Sequence, residues 1–367
     1  MNNYSYTTDQ DTLLIRTKKH KGSGLFYFAS SDLYFEKDND SFPYKIEYPD
    51  HLSKIKRAQI ITDLKAEKRN YIDIITGKLE DKDVFIIDEN NNKSFLDDSI
   101  RFIKPINWTP NEELIKVHYN ISNGISIVTD SSWVQIGLVN DYIQYGKSEY
   151  LTAKFQLGEN DFKIGLIDYV SSSNFTYNAR PQIVLLETNG NEKATLDPKD
   201  FYNKKEYLKL GNHYYKFKDI SNNGELITLI KEKNFKDKIG IQIGVIAPSF
   251  EAVSIEGNLI SSHKLYDKAT IIANSCGCGG DKASTKAYYD IRSKFGDTIN
   301  IIRLDYNIRD STNGIQLDMN NKLNKDIYNK FRGKYCSRMA YVVGKNNRIV
   351  DKFDITNWQK NLLNPLY

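Results

Sequence analysis

The chain has 367 residues, and this length favours two or three domains over a single one. Hydrophobic residues make up 40% and charged residues 27% of the chain, so each domain can build a core and disorder is not expected. The 51 Lys and Arg residues are mixed with 47 Asp and Glu residues along the whole length, and a net charge of +4 predicts no nucleic-acid partner.

The apolar runs are too short for a membrane span. They reach about five residues, whereas a helix needs roughly 20 to cross a bilayer. The first six residues lack the hydrophobic region of a signal peptide, so we expect none in this sequence. Only three cysteines occur, Cys276, Cys278 and Cys336, which excludes a disulfide-rich secreted scaffold. Their clustering in the last quarter of the chain indicates a chemical role.

Residues 1–235 are predicted to be rich in β-structure, because tyrosine, phenylalanine and isoleucine are abundant there. One helical interruption is expected at residues 51–64, where Leu52, Ile55 and Ile60 suit a short amphipathic helix loosely. Three turns, at residues 158–161, at 211–212 and at Asn223 and Gly224, separate short apolar segments and predict β-hairpins. The last dipeptide favours a type I′ turn, since both residue types adopt positive φ angles.

A short pattern occurs twice in this region. In each copy an apolar strand end is followed by an Asp, and a Phe stands seven residues after that Asp. The first copy has Asp88 and Phe95, and the second has Asp168 and Phe175. The two copies lie 80 residues apart. This repeat predicts two related β-modules, which we interpret as small sandwiches.

The first copy raises the question of a calcium site. Asp88, Asn90 and Asn92 match the first, third and fifth ligand positions of a calcium loop. However, Lys93 stands where that loop needs Gly, and Ser99 stands where it needs a bidentate Glu. We therefore predict a polar turn in which Asp and Asn bond their own backbone. The five histidines are scattered and form no ligand pair, so we predict no metal and no cofactor.

From residue 238 onward, predicted strands and helices alternate. The cysteine-containing turn at residues 275–281 follows the first buried strand of this region. The predicted segments are a strand at 269–274, a helix at 283–295, a strand at 299–305, a helix around 323–331, a hairpin at 339–353 and a short helix around Trp358. The order β-α-β-α-β-β-α describes one sheet with helices packed on it.

This order, with cysteines between the first buried strand and its helix, resembles the thioredoxin fold. The details resemble its redoxin branch, the TlpA-type and AhpC/TSA-type proteins, over about residues 239–367. The entry pattern of that family stands here as Gly244, Ala247, Pro248, Phe250, Gly257, Leu265 and Lys268. Residues 341–350 resemble the closing hairpin of the family, and residues 207–226 resemble the region upstream of the redoxin part in bacterial TlpA-like proteins.

The resemblance implies an extracytoplasmic location, either periplasmic or lipid-anchored, because such proteins are usually exported. The signal for export would then lie outside this sequence. The partners that it implies are protein thiols and disulfides or a thiol reductant.

The cysteine motif departs from the family pattern. TlpA-type sites read Trp-Cys-x-x-Cys, whereas the order from residue 275 is Ser-Cys-Gly-Cys-Gly. The cis-proline that faces the sulfurs in thioredoxins is absent, and Arg338 takes its place. Peroxiredoxins carry an Arg at the corresponding position and a Thr or Ser three residues before the peroxidatic Cys, as Ser275 stands before Cys278. Their upstream Pro would fall at Ile271, so the match is partial.

The residue types themselves favour thiol chemistry. A Cys at a helix N-terminus meets unpaired N–H groups and the positive end of the dipole, so its thiolate is favoured. A disulfide between Cys276 and Cys278 would close a small, strained ring, and strain makes a disulfide easier to reduce. In the thioredoxin fold the segment that holds Cys336 passes over this turn. The predicted catalytic residues are Cys276 and Cys278, Cys336 as resolving thiol, and Arg338 as the cation that stabilises a thiolate.

Three functions remain open. The first is a thiol–disulfide oxidoreductase of the exported TlpA-like kind. The second is a peroxiredoxin-like thiol peroxidase. The third is a non-catalytic thioredoxin-fold protein whose β-rich region binds a surface or carbohydrate and whose cysteines are inert. A copper(I) site made of three thiolates is less favoured.

The expected fold class is a multidomain protein with all-β, sandwich-like N-terminal modules followed by an α/β thioredoxin-fold domain. The expected boundaries are 1–100 for a first β-rich module, 101–237 for a second, and 238–367 for the redoxin domain.

Overall fold

The computed structural model of the protein describes most of the chain. The described residues are 6–9, 11–26, 30–35, 47–63, 70–106, 113–123, 125–168, 175–275, 281–306, 314–332 and 337–362. The chain forms two compact units, the first made of Met1–Leu196 with Phe201–Lys231 and the second of Asp197–Asp200 with Glu232–Tyr367. Within the described ranges, no helix combines the length and the apolar composition that crossing a membrane requires.

The first unit is built from antiparallel strands. In chain order the strands are β1 (Tyr6–Asp9), β2 (Thr12–Arg16), β3 (Lys18–Lys21), β4 (Ser31–Asp32), β5 (Ser53–Ile61), β6 (Tyr71–Leu79), β7 (Lys82–Ile87), β8 (Arg101–Phe102), β9 (Ile115–Ser122), β10 (Ile127–Val139), β11 (Tyr142–Lys147), β12 (Glu149–Leu157), β13 (Asn160–Asp168), β14 (Pro181–Thr188), β15 (Asn191–Glu192), β16 (Phe201–Asn203), β17 (Tyr207–Leu210), β18 (His213–Ile220) and β19 (Leu226–Glu232). The predicted all-β character of this region is confirmed.

Two of the sheets share one core. The first has the strand order β1-β2-β19-β18-β17, and the second has the order β15-β14-β13-β12-β3, with β16 also paired to β14. Buried side chains of both sheets contact each other, among them Ile15 and Ile227 from the first sheet and Phe155 and Ile164 from the second. Two antiparallel sheets with such a shared core form a β-sandwich.

The remaining two sheets of this unit share a second core. Their strand orders are β4-β11-β10-β9 and β5-β6-β7-β8. Ile60 and Ile74 from the second of these sheets pack with Val117, Tyr119 and Val134 from the first. This arrangement is a second sandwich, and it lies in the chain between β3 and β12 of the first.

Long-range strand pairing joins the beginning of this unit to its end. In the first sandwich Ile15 of β2 pairs with Ile227 of β19, and Lys19 of β3 pairs with Leu151 of β12. In the second sandwich β7 pairs with β8, so this sheet continues across residue 100. Sequence separation is therefore a poor guide to contact in this unit.

The prediction of a helix at residues 51–64 is wrong, because the structure has strand β5 there. β5 pairs with β6 over most of its length, and its Ala58 and Ile60 alternate with more exposed residues. An alternating pattern buries one face of a strand. The isoleucines fitted a helical period only loosely, and pairing with β6 decided the conformation.

The predicted hairpin turns at residues 158–161 and 211–212 are confirmed, since β12 pairs with β13 and β17 pairs with β18 across them. The third turn differs in type. Gly224 has a φ of 77°, and its N–H donates to the carbonyl of Ser221. Asn223, however, does not have the positive φ that a type I′ turn requires. This is a type I turn followed by a left-handed Gly, not the expected type I′ turn.

The two copies of the repeated pattern have a common structural role. Asp88 and Asp168 are 1% and 0% exposed and stand at the ends of β7 and β13. Asp88 accepts the backbone N–H groups of Asn92 and Lys93 at 3.1 and 3.0 Å. Asp168 likewise accepts two consecutive N–H groups, both at 2.9 Å, from residues 179 and 180. Each carboxylate thus holds the loop that follows its strand.

The second unit contains a mixed sheet with helices. Its elements are β20 (Glu251–Val253), β21 (Leu259–Ser261), α1 (Ser262–Leu265), β22 (Thr270–Asn274), α2 (Lys282–Phe295), β23 (Asn300–Asp305), β24 (Ile315–Asp318), α3 (Lys325–Phe331), β25 (Met339–Val343), β26 (Ile349–Asp354) and α4 (Trp358–Asn361). Short 3₁₀ turns lie at Pro198–Asp200, Phe235–Asp237, Lys322–Asn324 and Ile355–Asn357.

The strand order of the mixed sheet is β24-β23-β22-β25-β26. β22, β23 and β24 are mutually parallel, whereas β25 and β26 are antiparallel to their neighbours. Both faces are covered: Ile271 packs with Ile291 of α2, and Ile272 packs with Phe331 of α3. The predicted sheet with helices packed on it is confirmed, and β24 is an additional strand that the sequence pattern did not predict.

Candidate functional site

Three strand ends meet at one edge of the mixed sheet. β22 and β23 are parallel and end at Asn274 and Asp305, and the antiparallel β25 begins at the same edge with Met339. Cys276 follows β22 by two residues, and Cys336 precedes β25 by three. The segments that carry cysteines are therefore attached to neighbouring strands at this edge, which is the edge where α/β sheets bind ligands. The predicted catalytic residues Cys276, Cys278 and Cys336 themselves lie outside the described residues.

Helix α2 begins directly after the segment that contains Cys276 and Cys278. Asp281 caps it, because its carboxylate accepts the backbone N–H of Ser284 at 3.2 Å and the hydroxyl of the same residue. A helix of 14 residues places unpaired N–H groups and the positive end of its dipole at this point. The sequence-based expectation that a helix N-terminus follows the cysteine turn agrees with this start.

Arg338, the fourth predicted site residue, lies at the start of α2. Its Nε and Nη2 donate to the two carboxylate oxygens of Asp281 at 2.9 and 3.1 Å. The Asp281 side chain is 5% exposed, and that of Arg338 is 44% exposed. Arg338 thus holds the helix cap in a bidentate ion pair next to the cysteine segment. Its role as a cation for a thiolate stays a prediction.

Sequence reasoning missed Arg332, which lies at the same edge. This residue follows α3 and is 9% exposed. Its Nη1 donates to the backbone carbonyl of Ser275 and, at 3.3 Å, to that of Leu304. Its guanidinium carbon lies 5.0 Å from the ring centroid of Tyr306. The only sequence signal was a basic residue at a helix end, which usually indicates no more than a favourable dipole contact.

The two residues before the first cysteine are buried and polar. Asn274 is 0% exposed, and its Nδ2 donates to the carbonyls of Met339 at 2.8 Å and Phe331 at 3.3 Å. Its Oδ1 and the hydroxyl of Ser275 have no hydrogen-bond partner within the described part of the chain. The end of β22 is thus tied to β25 and α3 by a side chain that sequence reasoning did not single out.

A buried ion pair joins α2 to the sheet beneath it. Arg303 donates to Asp305 at 2.6 Å, to Thr285 of α2 at 2.9 Å and to Gln316 of β24 at 3.2 Å. Its guanidinium also lies 5.9 Å from the ring centroid of Tyr288, where burial raises the pKa of the phenol to about 12. These contacts fix the position of α2, and with it the start of the helix.

The first unit contains a second buried ionic cluster, centred on Glu149. Its carboxylate is 0% exposed and accepts the hydroxyls of Ser132 and Tyr177, both at 2.8 Å. The amines of Lys19 and Lys147 lie 3.6 and 3.7 Å from the same carboxylate. Burial lowers the pKa of Lys147, whose amine lies 4.2 Å from the ring centroid of Tyr177 and has no hydrogen-bond acceptor among the described residues.

The loop after β7 forms the polar turn that the sequence predicted. Besides the backbone contacts of Asp88, the carboxylate of Asp97 accepts the side-chain amides of Asn90 at 2.7 Å and Asn92 at 2.9 Å. Lys93 donates to Asp73 at 2.7 Å. Both carboxylate oxygens of Asp88 and one of Asp97 thus accept hydrogen bonds from groups of the same loop. Within the described ranges, no group of three His, Cys, Asp or Glu side chains is placed to hold a metal.

Comparisons with known proteins give distant structural matches only. No protein-family model matches the sequence, and no curated protein matches it. The thioredoxin domain of a thiol-disulfide oxidoreductase from Bacteroides vulgatus matches 34% of this chain and 100% of its own length, with 17% identity and a TM-score of 0.27. A thiol:disulfide interchange protein from Bacteroides sp. matches 32% of this chain and 88% of its own, with 17% identity and a TM-score of 0.26.

A third structure has comparable values. A thiol:disulfide interchange protein of the thioredoxin family from Chlorobium tepidum matches 32% of this chain and 96% of its own, with 14% identity and a TM-score of 0.25. At such identities and scores, the comparisons describe a distant likeness to thioredoxin-like domains that is limited to about a third of the chain.

Proposed function

We propose that the protein is a thiol–disulfide oxidoreductase of the TlpA-like kind and that Cys276, Cys278 and Cys336 supply its thiols. The observation that carries this proposal is the geometry of the sheet edge. The segments bearing the cysteines are attached there to the neighbouring strands β22 and β25, and a capped helix begins directly after the Cys-Gly-Cys sequence. A helix N-terminus favours thiolate, which is the form that attacks a disulfide.

The proposed reaction is thiol–disulfide exchange. A thiolate of the reduced protein attacks a sulfur of the substrate disulfide, one substrate thiol leaves, and a mixed disulfide forms. A second cysteine of the protein then attacks the mixed disulfide, releases the second substrate thiol and leaves an intramolecular disulfide. Two electrons pass from the protein to the substrate, and a thiol reductant restores the reduced protein. Arg338 takes part by holding Asp281 and the helix start that follows Cys276 and Cys278 in the chain.

Thiol counting tests this proposal. The protein is purified without reductant, its free thiols are alkylated, and mass spectrometry locates any disulfide, with single Cys→Ser variants of the three cysteines as matched controls. We expect a disulfide between two of the three cysteines that reduces readily, and loss of exchange activity when either partner is replaced. Arg338→Ala should slow exchange by loosening the helix start.

Two results would contradict the proposal. Three free thiols with sluggish alkylation would leave the cysteines without a redox role, and function would then lie in the β-sandwiches. Rapid conversion of one thiol to a sulfenate by peroxide, without exchange with a protein disulfide, would instead favour a peroxidase.

We also propose an extracytoplasmic location, which follows from the family resemblance of residues 239–367. Exchange chemistry of this kind serves proteins that acquire disulfides in oxidising compartments. Fractionation of cells that express the native gene, followed by immunodetection of the protein, tests the location. Recovery in the cytosolic fraction would contradict it.

A further inference from the structure

We propose that the second sandwich of the first unit carries a binding site for a neutral sugar, in a cavity between the edge strands β4 and β5. The site is independent of the proposed thiol chemistry, because the residues that line it belong to the first unit. The cavity has a volume of about 470 Å³, which lies within the range of small-molecule sites. Its polar lining side chains include those of Ser30, Asp32, Tyr34, Gln59, Gln144 and Tyr145.

The chain around β4 builds one wall of this cavity. β4 pairs with β11, and the backbone N–H of Leu33 donates to the carbonyl of Ile143 at 2.9 Å. Phe35 then forms an antiparallel bridge with Ala58 of β5, so the chain passes from one sheet of the sandwich to the other. Leu33 and Phe35 pack into the core between the sheets, whereas Tyr34 between them is 79% exposed. The wall is thus fixed on both sides and presents an aromatic ring outward.

The amide of Gln144 is held in one orientation at the cavity. The hydroxyl of Ser30 donates to its Oε1, and its Nε2 donates to Oδ1 of Asp32 at 2.7 Å. The second N–H of this amide and Oδ2 of Asp32 have no hydrogen-bond partner in the part of the chain that the structure describes. A donor and an acceptor therefore lie side by side, which suits hydroxyl groups, since each hydroxyl both donates and accepts.

Two tyrosines complete the cavity. Tyr145 is 7% exposed, and burial, followed by the neighbouring Tyr34, raises the pKa of its phenol to about 12. The hydroxyl of Tyr145 therefore stays protonated near neutral pH and can donate a hydrogen bond. One face of a sugar ring consists of C–H groups, which pack on an aromatic ring such as that of Tyr34, while the surrounding hydroxyls bind polar groups.

The charge of the lining narrows the class of ligand. The residues that line the cavity include one carboxylate, that of Asp32, and no lysine or arginine. A phosphate or carboxylate ligand would therefore meet a negative charge with no cation to offset it. An organic cation would find a single carboxylate, whereas the amide and hydroxyl groups around it match the adjacent donors and acceptors of a sugar. These groups favour a neutral sugar over either charged class.

Calorimetric titration of the full chain tests this site. The probes are six neutral disaccharides (cellobiose, maltose, lactose, mannobiose, xylobiose and chitobiose), with choline as a cationic probe and glucuronate as an anionic one. We expect at least one disaccharide to bind with a Kd of about 1 mM or lower, and neither charged probe to bind at concentrations up to about 10 mM.

Three variants locate the binding. Tyr34→Ala removes the exposed ring and should raise the Kd of the bound disaccharide at least about tenfold. Asp32→Asn replaces a charged acceptor by a neutral one and should raise the Kd about tenfold. The matched control is Tyr142→Ala, because Tyr142 of β11 is 67% exposed but lies outside the lining of the cavity. This control should leave the Kd unchanged.

Four results would overturn the inference: no binding by any of the disaccharides, binding of choline or glucuronate alone, undiminished binding in Tyr34→Ala, or an equal loss in Tyr142→Ala. Tyr34 is a surface residue, so its variant should fold, and thermal denaturation checks this. If Asp32→Asn does not fold, Tyr34→Ala and its control still decide the outcome.

Discussion

Glu149 shows what single residues contribute inside the first unit. Its buried carboxylate accepts two hydroxyls and lies within 3.7 Å of two lysine amines. One of these amines, that of Lys147, has no hydrogen-bond acceptor among the described residues. Removal of Glu149 would therefore leave two hydroxyls without their acceptor, whereas removal of Lys147 would break no described hydrogen bond of its amine.

Replacement of Glu149 and of Lys147 should have different effects on stability. Glu149→Leu leaves the hydroxyls of Ser132 and Tyr177 without their acceptor and the buried amine of Lys147 without its nearest counter-charge, and it should lower the free energy of unfolding by about 3–5 kcal/mol. Lys147→Met should cost less than about 1 kcal/mol or stabilise the protein, because it removes a desolvated amine and retains the packing of the side chain. Urea denaturation measures both. Equal losses would show that Lys147 contributes as much as Glu149.

The raised pKa of Asp98 leads us to expect that the stability of the folded protein depends on pH. Burial, followed by repulsion from Asp88 and other acidic neighbours, raises its pKa to about 7 from the ordinary value of 3.8. The folded protein therefore binds a proton that the unfolded chain releases between these two values. The contribution of Asp98 to stability is complete below pH 3.8 and is lost as the pH rises through 7.

Asp98→Asn should remove this dependence, since the amide resembles the protonated carboxyl and its oxygen can still accept the N–H of Glu89. We expect a melting temperature about 1–3 °C higher than that of the unmodified protein at pH 8, and little difference at pH 4. The matched control is Asp97→Asn, because hydrogen bonds from Asn90 and Asn92 lower the pKa of Asp97. A gain at pH 8 in both variants would indicate a general effect of negative charge.

At the scale of elements, local sequence patterns predicted the hairpins and the helix after the cysteines. These elements depend on neighbouring residues: a turn residue at the right place, an apolar face, a cap and a stop signal. β5 and β24 are defined by pairing with β6 and β23, which their own residue patterns do not display, and the sequence analysis missed both. β24 has only four residues, Ile315–Asp318, and its pairing with β23 defines it.

Two turns of the first unit allow a matched test at this scale. Asp81 ends the two-residue turn between β6 and β7 with a φ of 66°, and Gly190 holds the same position between β14 and β15 with a φ of 79°. A Cβ at Gly190 would meet no atom within 4 Å, so substitution there changes backbone preference alone. Asp81→Gly should raise the free energy of unfolding by about 0.5 kcal/mol, and Gly190→Asp should lower it by about 1 kcal/mol. Changes of the same sign in thermal or urea denaturation would contradict this.

At the scale of the whole molecule, the two units have separate cores. Ile15 and Ile302 are both 0% exposed, but Ile15 belongs to the core of the first sandwich and Ile302 to a core beside the mixed sheet. A cavity weakens the contacts around it first. Damage to one core should therefore remain within its own unit.

Hydrogen exchange measures this separation. Ile15→Ala should lower the stability of the first unit by about 2–5 kcal/mol and speed exchange in β2, β12 and β19 but not in β22 or β23. Ile302→Ala should give the reverse pattern. Ile125→Ala serves as a surface control, because Ile125 is 96% exposed. Faster exchange throughout the chain in both core variants would show that the units unfold as one.

The amino-acid sequence by itself determined the β-rich character of the first 235 residues, the mixed sheet with helices that follows, and the clustering of Cys276 and Cys278 before a helix. These features depend on local spacing, which a sequence displays directly. Only the tertiary structure decided that β2 pairs with β19, that one sandwich lies between strands of the other, and that Arg332 reaches the carbonyl before Cys276. Such contacts join residues 57 or more positions apart, and they are selected by burial and hydrogen-bond satisfaction in the folded chain rather than by any local pattern.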